Sequence, residues 1–485
     1  MKQPNQFSLH LLAEISHRPT TGGITLREHL IKQWREAILI GRLPPNFRLP
    51  STRQLAEHLH IGRSTLVEVI EQLALEGYLH THRGTASRVA AVKPASLRRT
   101  EAFPIEKIVC APQWQQDDPP TAVTLRAFRP GLPDLASFPA KEWAQCLARR
   151  AKHPVSHDLS YRDLTGMPAL RRELLLHLQQ TRGIHAQPEQ LIIVPSAQAA
   201  FDILIRASLE QGNIVWLEDP GYHGVRAALR AAKAHIVGLP IDQEGMILAE
   251  DLPPPQLIYV TPSHQYPTGI TMSLARRLML LEYAAEHQAL IIEDDNDSEY
   301  QFRGQPIASL QSLDQQDCVA YVGTFSKVMA PGLRVAYAIV PKKWLPLVET
   351  IMTVSGHGVS VHVQLALADF IAGGGLRRHL RRANHEAAQK MQCLVQCLRR
   401  SLRHSSKVTI PTPLGGLQLC LTWHGKTPDT VLIQALQQRG ITATALSSFY
   451  HGNAKQGMLL GVGLISLEEI ESAVQTLAEV IHTIP

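Results

Sequence analysis

Five apolar runs of strand length, LIIV from Leu191, IVWLE from Ile214, LIYV from Leu257, ALIIED from Ala289 and VAYVG from Val319, alternate with stretches of helical spacing. A run that is apolar at nearly every position is buried on both faces, and such strands alternating with helices build an α/β unit around a mostly parallel sheet. Ligands of such sheets bind beyond the carboxyl ends of the strands. Each run ends there in a distinctive polar group. After LIIV comes Ser196-Ala197, where a hydroxyl and the first free amides of a helix make an anion site. IVWLE leads into Asp219-Pro220-Gly221-Tyr222, which sets an aromatic ring beside a flat ligand. LIYV leads into TPSHQYPTG, and ALIIED brings Asp294. VAYVG ends in Thr-Phe-Ser before Lys327, an amine at a strand mouth, and Pro331-Gly332-Leu333 then turns Arg334 back toward Thr324 and Ser326.

Singly, each has a plain structural explanation: Ser196 an N-cap, Tyr222 a core ring, Asp294 a solvated strand-end carboxylate, Lys327 a solvated lysine after a core strand. Together they meet the needs of pyridoxal phosphate. Lys327 would bind the aldehyde as an aldimine, and Asp294 would keep the pyridine nitrogen protonated. Tyr222 would stack, while Ser196, Ala197, Thr324, Ser326 and Arg334 would hold the phosphate.

The chain of 485 residues exceeds a single ordinary core, and its net charge of +6 is unevenly placed. Residues 1–99 carry 14 Lys+Arg against 7 Asp+Glu, which leaves 34 against 35 for residues 100–485. A basic segment joined to a near-neutral body points to a polyanion-binding module attached to a unit with another task. Within it, Leu26, Leu30, Trp34, Ile38 and Leu39 recur at helical spacing. Ser51 or Thr52 can cap a second short helix, RQLAEHL; His60-Ile61-Gly62 turns; and Ser64 or Thr65 opens a third helix with Leu66, Val69, Ile70 and Leu73 on its inner face. YLHTHRGTASRVA then reads as a two-stranded wing tipped by Arg83. The expected division is a DNA-binding domain over 1–90, a proline-containing linker over 91–124 and a large domain over 125–485.

The stretch RLPPNFRLPSTRQLAEHLHIGRSTLVEVIEQLALEGYLHTHRGTASRVA resembles the winged helix-turn-helix of the GntR family of bacterial repressors. That resemblance implies DNA contacts from Arg48, Ser51, Arg53, Arg63, Ser64, Thr65 and Arg83, mostly to phosphate, with the third helix in the major groove. Two departures stand out: Asn46 replaces a usual glycine, and Gly84-Thr85-Ala86 replaces Gly-Ser-Gly at the wing tip. Residues 125–484 resemble fold type I aminotransferases. The ordered blocks YRDLTGMPALRREL, EDPGYHGVR, TPSHQYPTGITMS, IIEDDNDSEY and GTFSKVMAPGLR make the whole chain similar to MocR/GabR-type regulators. In that family Tyr161 would reach the phosphate of the neighbouring protomer's cofactor, which implies a head-to-tail homodimer.

Asn296 stands where the family has a tyrosine that bonds the cofactor's ring oxygen, and Tyr266 stands where many aminotransferases place an asparagine serving the same atom. The arginine that clamps substrate carboxylates from the C-terminal lobe has no counterpart, since residues 441–469 contain no arginine. Arg226 is the only clamp on offer, against its plainer reading as an exposed helical arginine. No apolar run approaches the ~20 residues that span a bilayer, and no signal sequence opens the chain, so it is expected in the cytoplasm, off the membrane. The six cysteines fit neither a metal nor a disulfide spacing, and no metal is expected. The expected function is a regulator that senses a small amine or amino acid and binds a double-stranded operator. The alternative is an active aminotransferase with an accessory DNA-binding domain. A domain that had lost its cofactor would need to have lost Lys327 or Asp294, and both are present.

Overall fold

The computed structural model describes residues 4–16, 25–81, 86–91, 127–152, 163–248, 252–302 and 308–484. Two compact units divide the chain, residues 1–110 and residues 111–485. Residues 92–124 of the expected linker, and Arg83, Gly84 and Thr85 of the wing tip, lie outside the described residues.

In the first unit, α1 (Pro4–Ile15), α2 (Leu26–Leu39), α3 (Thr52–Leu59) and α4 (Arg63–Leu75) precede an antiparallel pair, β1 (Leu79–His80) and β2 (Arg88–Val89). Both α2 and α3 begin at reciprocal capping boxes, Thr25 with Glu28 and Ser51 with Gln54. Leu30, Trp34, Leu55, Leu66, Val69 and Leu73 close a single core. Apolar spacing marks no element in the first sixteen residues, yet α1 sends Leu12 and Ile15 into this core, and Ser16 accepts from the Trp34 indole at 2.9 Å. Third-helix placement is also corrected: α4 opens at Arg63 with Gly62 as its cap, so Arg63, Ser64 and Thr65 form its first turn. Asn46 has φ 63°, which explains the usual glycine there, since asparagine tolerates the left-handed region better than most residues.

All five expected strands are present in the second unit. Its main sheet holds β3 (Leu191–Val194), β4 (Ile214–Asp219), β5 (His235–Asp242), β6 (Gly245–Met246), β7 (Leu257–Val260), β8 (Leu290–Asp295), β9 (Val319–Thr324) and β10 (Ala336–Ile339), in the order β3-β10-β9-β8-β7-β4-β5-β6. β9, β8, β7, β4 and β5 run parallel; β10 is antiparallel to both β3 and β9. Alternation along the strands sends Leu257, Tyr259, Leu290, Ile292, Ala320 and Val322 to one face, beneath the helices Ala197–Ser208 and His223–Ala231. Ile258, Ile291, Val319 and Tyr321 go to the other face.

A second, antiparallel sheet follows, made of β11 (Val408–Thr409), β12 (Gln418–Trp423), β13 (Thr444–Ala445) and β14 (Gly457–Gly461) in the order β11-β12-β14-β13. The helices Gly375–Ser401 and Leu467–Thr483 cover it. The segment after residue 126 runs along this lobe: Gly461 donates its N–H to Phe128 O at 2.7 Å, and Phe128 is buried in the lobe's core. No helix among the described residues is long and apolar enough to cross a membrane. The described residues contain no cluster of His, Cys, Asp and Glu able to hold a metal.

Candidate functional site

β8 ends in three consecutive carboxylates, and the sheet's alternation separates them. Glu293 and Asp295 share one face, where Glu293 accepts from Leu310 N and Gln311 N at 2.8 Å each. Asp295 pairs with Arg182 at 2.8 Å and accepts from the Tyr321 hydroxyl. Asp294 faces the other way, toward Tyr259 and Tyr222. It is 6% exposed and accepts from the Tyr259 hydroxyl at 2.5 Å. Burial pushes its carboxyl up to about 7, against the bond from Tyr259. Asp294 is therefore no solvated strand-end carboxylate.

Lys327 lies in the single turn Phe325–Val328 that follows β9. Its backbone is held by the Tyr300 hydroxyl, which donates to Lys327 O at 2.9 Å, and by His379, whose ring nitrogen meets Val328 O at 2.8 Å. The half-buried side chain aims its amine at the Gly131 carbonyl, to which it donates. Gly131 has φ +77°, and a Cβ there would stand 3.3 Å from that amine. Burial lowers the amine's pKa, while Asp297 and then Asp294 oppose the shift. A lysine moved this way is more often neutral and nucleophilic than a solvated one.

The register of β10 gathers the anion donors. Ala336 pairs with Val194 on one side and Thr324 on the other, so the ends of β3 and β9 lie level, two strand spacings apart. Ser196, just beyond β3, caps the helix Ala197–Ser208 by accepting from Ala199 N at 3.1 Å, which leaves the Ala197 amide at the open end. Thr324 accepts from Ser326 N at 3.1 Å. Arg334 precedes Ala336 at the same end, exposed and with φ 53°.

On the first unit, Arg48, Arg53, Arg63 and Ser64 are exposed, and Thr65 is half-buried. The Ser51 hydroxyl is engaged within its own turn: it accepts from Gln54 N at 3.3 Å and donates to Gln54 Oε1 at 2.9 Å. Arg53 and Arg63 thus open α3 and α4, where the free amides and helix dipoles also favour phosphate.

Residues 26–89 match the model of bacterial regulatory proteins of the gntR family, and residues 132–477 match aminotransferase class I and II. The probable rhizopine catabolism regulatory protein MocR of Rhizobium meliloti is 35% identical over 94% of this chain and 93% of its own length. The chain belongs to the MocR-type transcriptional regulators. A second member, the pyridoxine biosynthesis regulator PdxR of Corynebacterium glutamicum, is 30% identical over 92% of this chain and 93% of its own. The crystal structure of Pyrococcus horikoshii kynurenine aminotransferase superposes with a TM-score of 0.68 at 25% identity, over 75% of this chain and 92% of that one. This MocR-type chain thus joins a GntR-type reader to a fold type I aminotransferase-like unit.

Three features of the regulator were invisible in its sequence. Arg226 is not an exposed helical arginine: it is half-buried and donates to Tyr450 O at 3.1 Å, Gly221 O at 3.4 Å and Phe449 O. The Phe449 and Tyr450 carbonyls lie more than two hundred residues from Arg226 in the chain, and no local pattern announces the contact. Asp297 faces Lys327 as a second carboxylate; it meets His264 Nδ1 at 3.0 Å and accepts from Leu417 N at 3.3 Å. Gly416, with φ +86°, leaves room for the His264 ring, which a Cβ would meet at 2.1 Å. Glu218 lies buried at the end of β4, accepting from Thr261 N at 3.1 Å and Thr261 Oγ1 at 2.6 Å, with burial pushing it up to about 7.

Tyr222 is half-buried, edge-on to Phe201 at 6.4 Å and to Tyr266 at 5.8 Å between centroids. Tyr266 also meets Phe449 edge-on at 5.3 Å. Asn296 is half-buried directly beyond β8. Tyr161 lies outside the described residues.

Proposed function

We propose that this MocR-type regulator carries pyridoxal phosphate on Lys327, senses a small amine or amino acid there, and binds a double-stranded operator through α3, α4 and the wing. One observation supports the cofactor most: a buried carboxylate and a pKa-lowered lysine share the carboxyl end of one sheet, with anion donors beside them. Asp294 also fits the pyridine nitrogen, because it is buried with a single hydroxyl donor and can accept from an N–H. When bound, the cofactor supplies an aldehyde for amines and an electron sink.

The chain's own residues would divide the remaining work. Tyr259 orients the Asp294 carboxylate, and Asp294 holds a proton at the ring nitrogen. Tyr222 covers one side of the ring and excludes water. Ser196, the Ala197 amide, Thr324, Ser326 and Arg334 bind the phosphate, with Tyr161 added from a head-to-tail partner. Tyr266 and Asn296 serve the ring oxygen. Arg48, Arg53, Arg63, Ser64, Thr65 and the wing's Arg83 meet DNA, while Ser51 acts first as a helix cap.

A ligand shifts an equilibrium only as far as its differential affinity for two states allows. Occupancy at Lys327 would therefore act by favouring one arrangement of the paired readers in the cytoplasm. Steady transamination is the second reading, and the intact Lys327 and Asp294 favour it. Two variants test the division of labour. Lys327→Ala should abolish the protein's yellow band while leaving DNA binding in a gel shift, and Arg63→Ala should weaken DNA binding while keeping the band. The same loss of both properties in both variants would refute it.

A further inference from the structure

A cavity of about 270 Å³ opens between the loop that follows β7 and the strand β12 of the second sheet. The loop is closed by its own bonds: Gln265 donates its N–H to Ile270 O at 2.8 Å, Gly269 donates its N–H to Gln265 O at 2.7 Å, and Thr271 Oγ1 donates to Ser263 O at 3.2 Å. That turn presents His264 to the cavity. One edge of the imidazole, Nδ1, meets Asp297 at 3.0 Å. The other edge lies against two glycines in the left-handed region: a Cβ on Gly269 would stand 3.0 Å from Nε2, and one on Gly416 2.6 Å from it. Gly269 lines the cavity together with the ring.

β12 supplies the facing wall. Alternation along it turns Leu419 and Leu421 into the core of the second lobe, and Gln418 and Cys420 the other way, toward the cavity. Gln418 is 6% exposed, yet its side-chain amide meets no partner among the described residues, and neither does His264 Nε2. Buried polar groups are as a rule paired, so two that turn unpaired into one cavity mark a place for an occupant. Their chemistry narrows it. Burial works against charge on His264, but Asp297 outweighs it and favours the charged ring, whose Nε2 is then an N–H donor. The Gln418 amide adds a donor from the opposite wall. Two donors, one of them cationic, suit an oxyanion. The volume lies just under the usual range of ligand pockets, which fits a small metabolite.

We propose that this cavity is a second small-molecule site, separate from Lys327, which takes the oxyanion of a small carboxylate or phosphate between His264 Nε2 and the Gln418 amide. Lys327, Asp294 and Tyr222 are not among the described residues that line it. Asp297 links the two places: one of its oxygens meets His264, the other accepts from Leu417 N at 3.3 Å, and its charge bears on Lys327. An oxyanion at His264 thus sits one ion pair from the lysine. The proposal goes beyond the cofactor reading and does not depend on it.

The test is isothermal titration calorimetry of the full chain, without added pyridoxal phosphate, using succinate, inorganic phosphate and succinamide. Succinamide keeps the succinate skeleton without its charge. Succinate or phosphate should bind, with succinamide at least about tenfold weaker than succinate. A preference for either anion supports the proposal and names its source. Gln418→Leu, which roughly keeps the side chain's volume, and His264→Gln, which removes the cation, should each weaken anion binding at least about tenfold. Failure of both anions to bind would mean a cavity for water alone and would overturn the proposal. Equal binding of succinamide and succinate, or anion binding untouched by both substitutions, would do the same. So would anion binding removed by Arg334→Ala, since the anion would then sit in the cradle proposed for the cofactor's phosphate. Failure of the cofactor reading shows itself elsewhere, as a missing yellow band, so the two failures are distinguishable.

Discussion

Arg53 and Arg63 stand exposed at the first turns of two helices, whereas Asp294, Asp295 and Asp297 are each at most 6% exposed and engaged by tyrosine, arginine or histidine. The reader presents charge to solvent and depends on residue type alone. At the sheet's carboxyl end charge is withdrawn from water, and each group depends on partners brought from elsewhere in the chain. A surface cation can thus be replaced with little structural consequence, while a buried one cannot lose its partner cheaply.

Arg182→Ala gives the largest expected effect. It would strand the Asp295 carboxylate in the sheet and should lower unfolding stability by about 3–5 kcal/mol, measured by denaturant titration of the intact protein. A loss below about 1 kcal/mol would break the contrast, since that is what an exposed pair is worth. Next comes Leu12→Ala in α1, where removing a fully buried side chain should destabilise the reader by about 2–5 kcal/mol. An unchanged melting transition would mean that α1 is not part of that core.

His264→Gln sharpens the contrast through pH. Burial works against charge on His264, but Asp297 outweighs it and holds the imidazole above its ordinary value, while Asp297, despite burial, is held below its own by His264. The histidine's contribution is full below about 6.5 and fades as pH climbs through the raised value. That of Asp297 is full above about 4 and is lost as pH falls through the depressed one. His264→Gln should therefore cost about 1–3 kcal/mol near pH 6, and distinctly less at alkaline pH. A pH-independent cost would show that the pair is not ionic. Smallest in stability is Arg63→Ala, expected within about 0.5 kcal/mol of wild type. Its effect appears in DNA binding instead, where the slope of affinity against salt should fall by about 1.

The same contrast explains what could be read from the sequence. The strands of the main sheet and three reader helices follow from apolar periodicity and caps, and the exposed arginines need only their position at a helix start. The places of Asp294 at the end of one apolar run and of Lys327 just beyond another could be read from the sequence, and their proposed roles rest on those places. Choosing Asp294 over Asp295 takes the sheet's alternation together with the Arg182 pair, which no local pattern contains. Asp297 and His264, more than thirty residues apart, meet only in the fold, as do Arg226 and the carbonyls of Phe449 and Tyr450. The α1 helix has no clear sequence signal, because its value to the core lies in Leu12 and Ile15 within a short stretch.

Borohydride reduction of the wild-type protein loaded with pyridoxal phosphate, followed by peptide mass mapping, tests the central claim most directly. The account predicts a single pyridoxyl adduct on the peptide containing Lys327, absent after Lys327→Ala. An adduct on another lysine, or none, would contradict it.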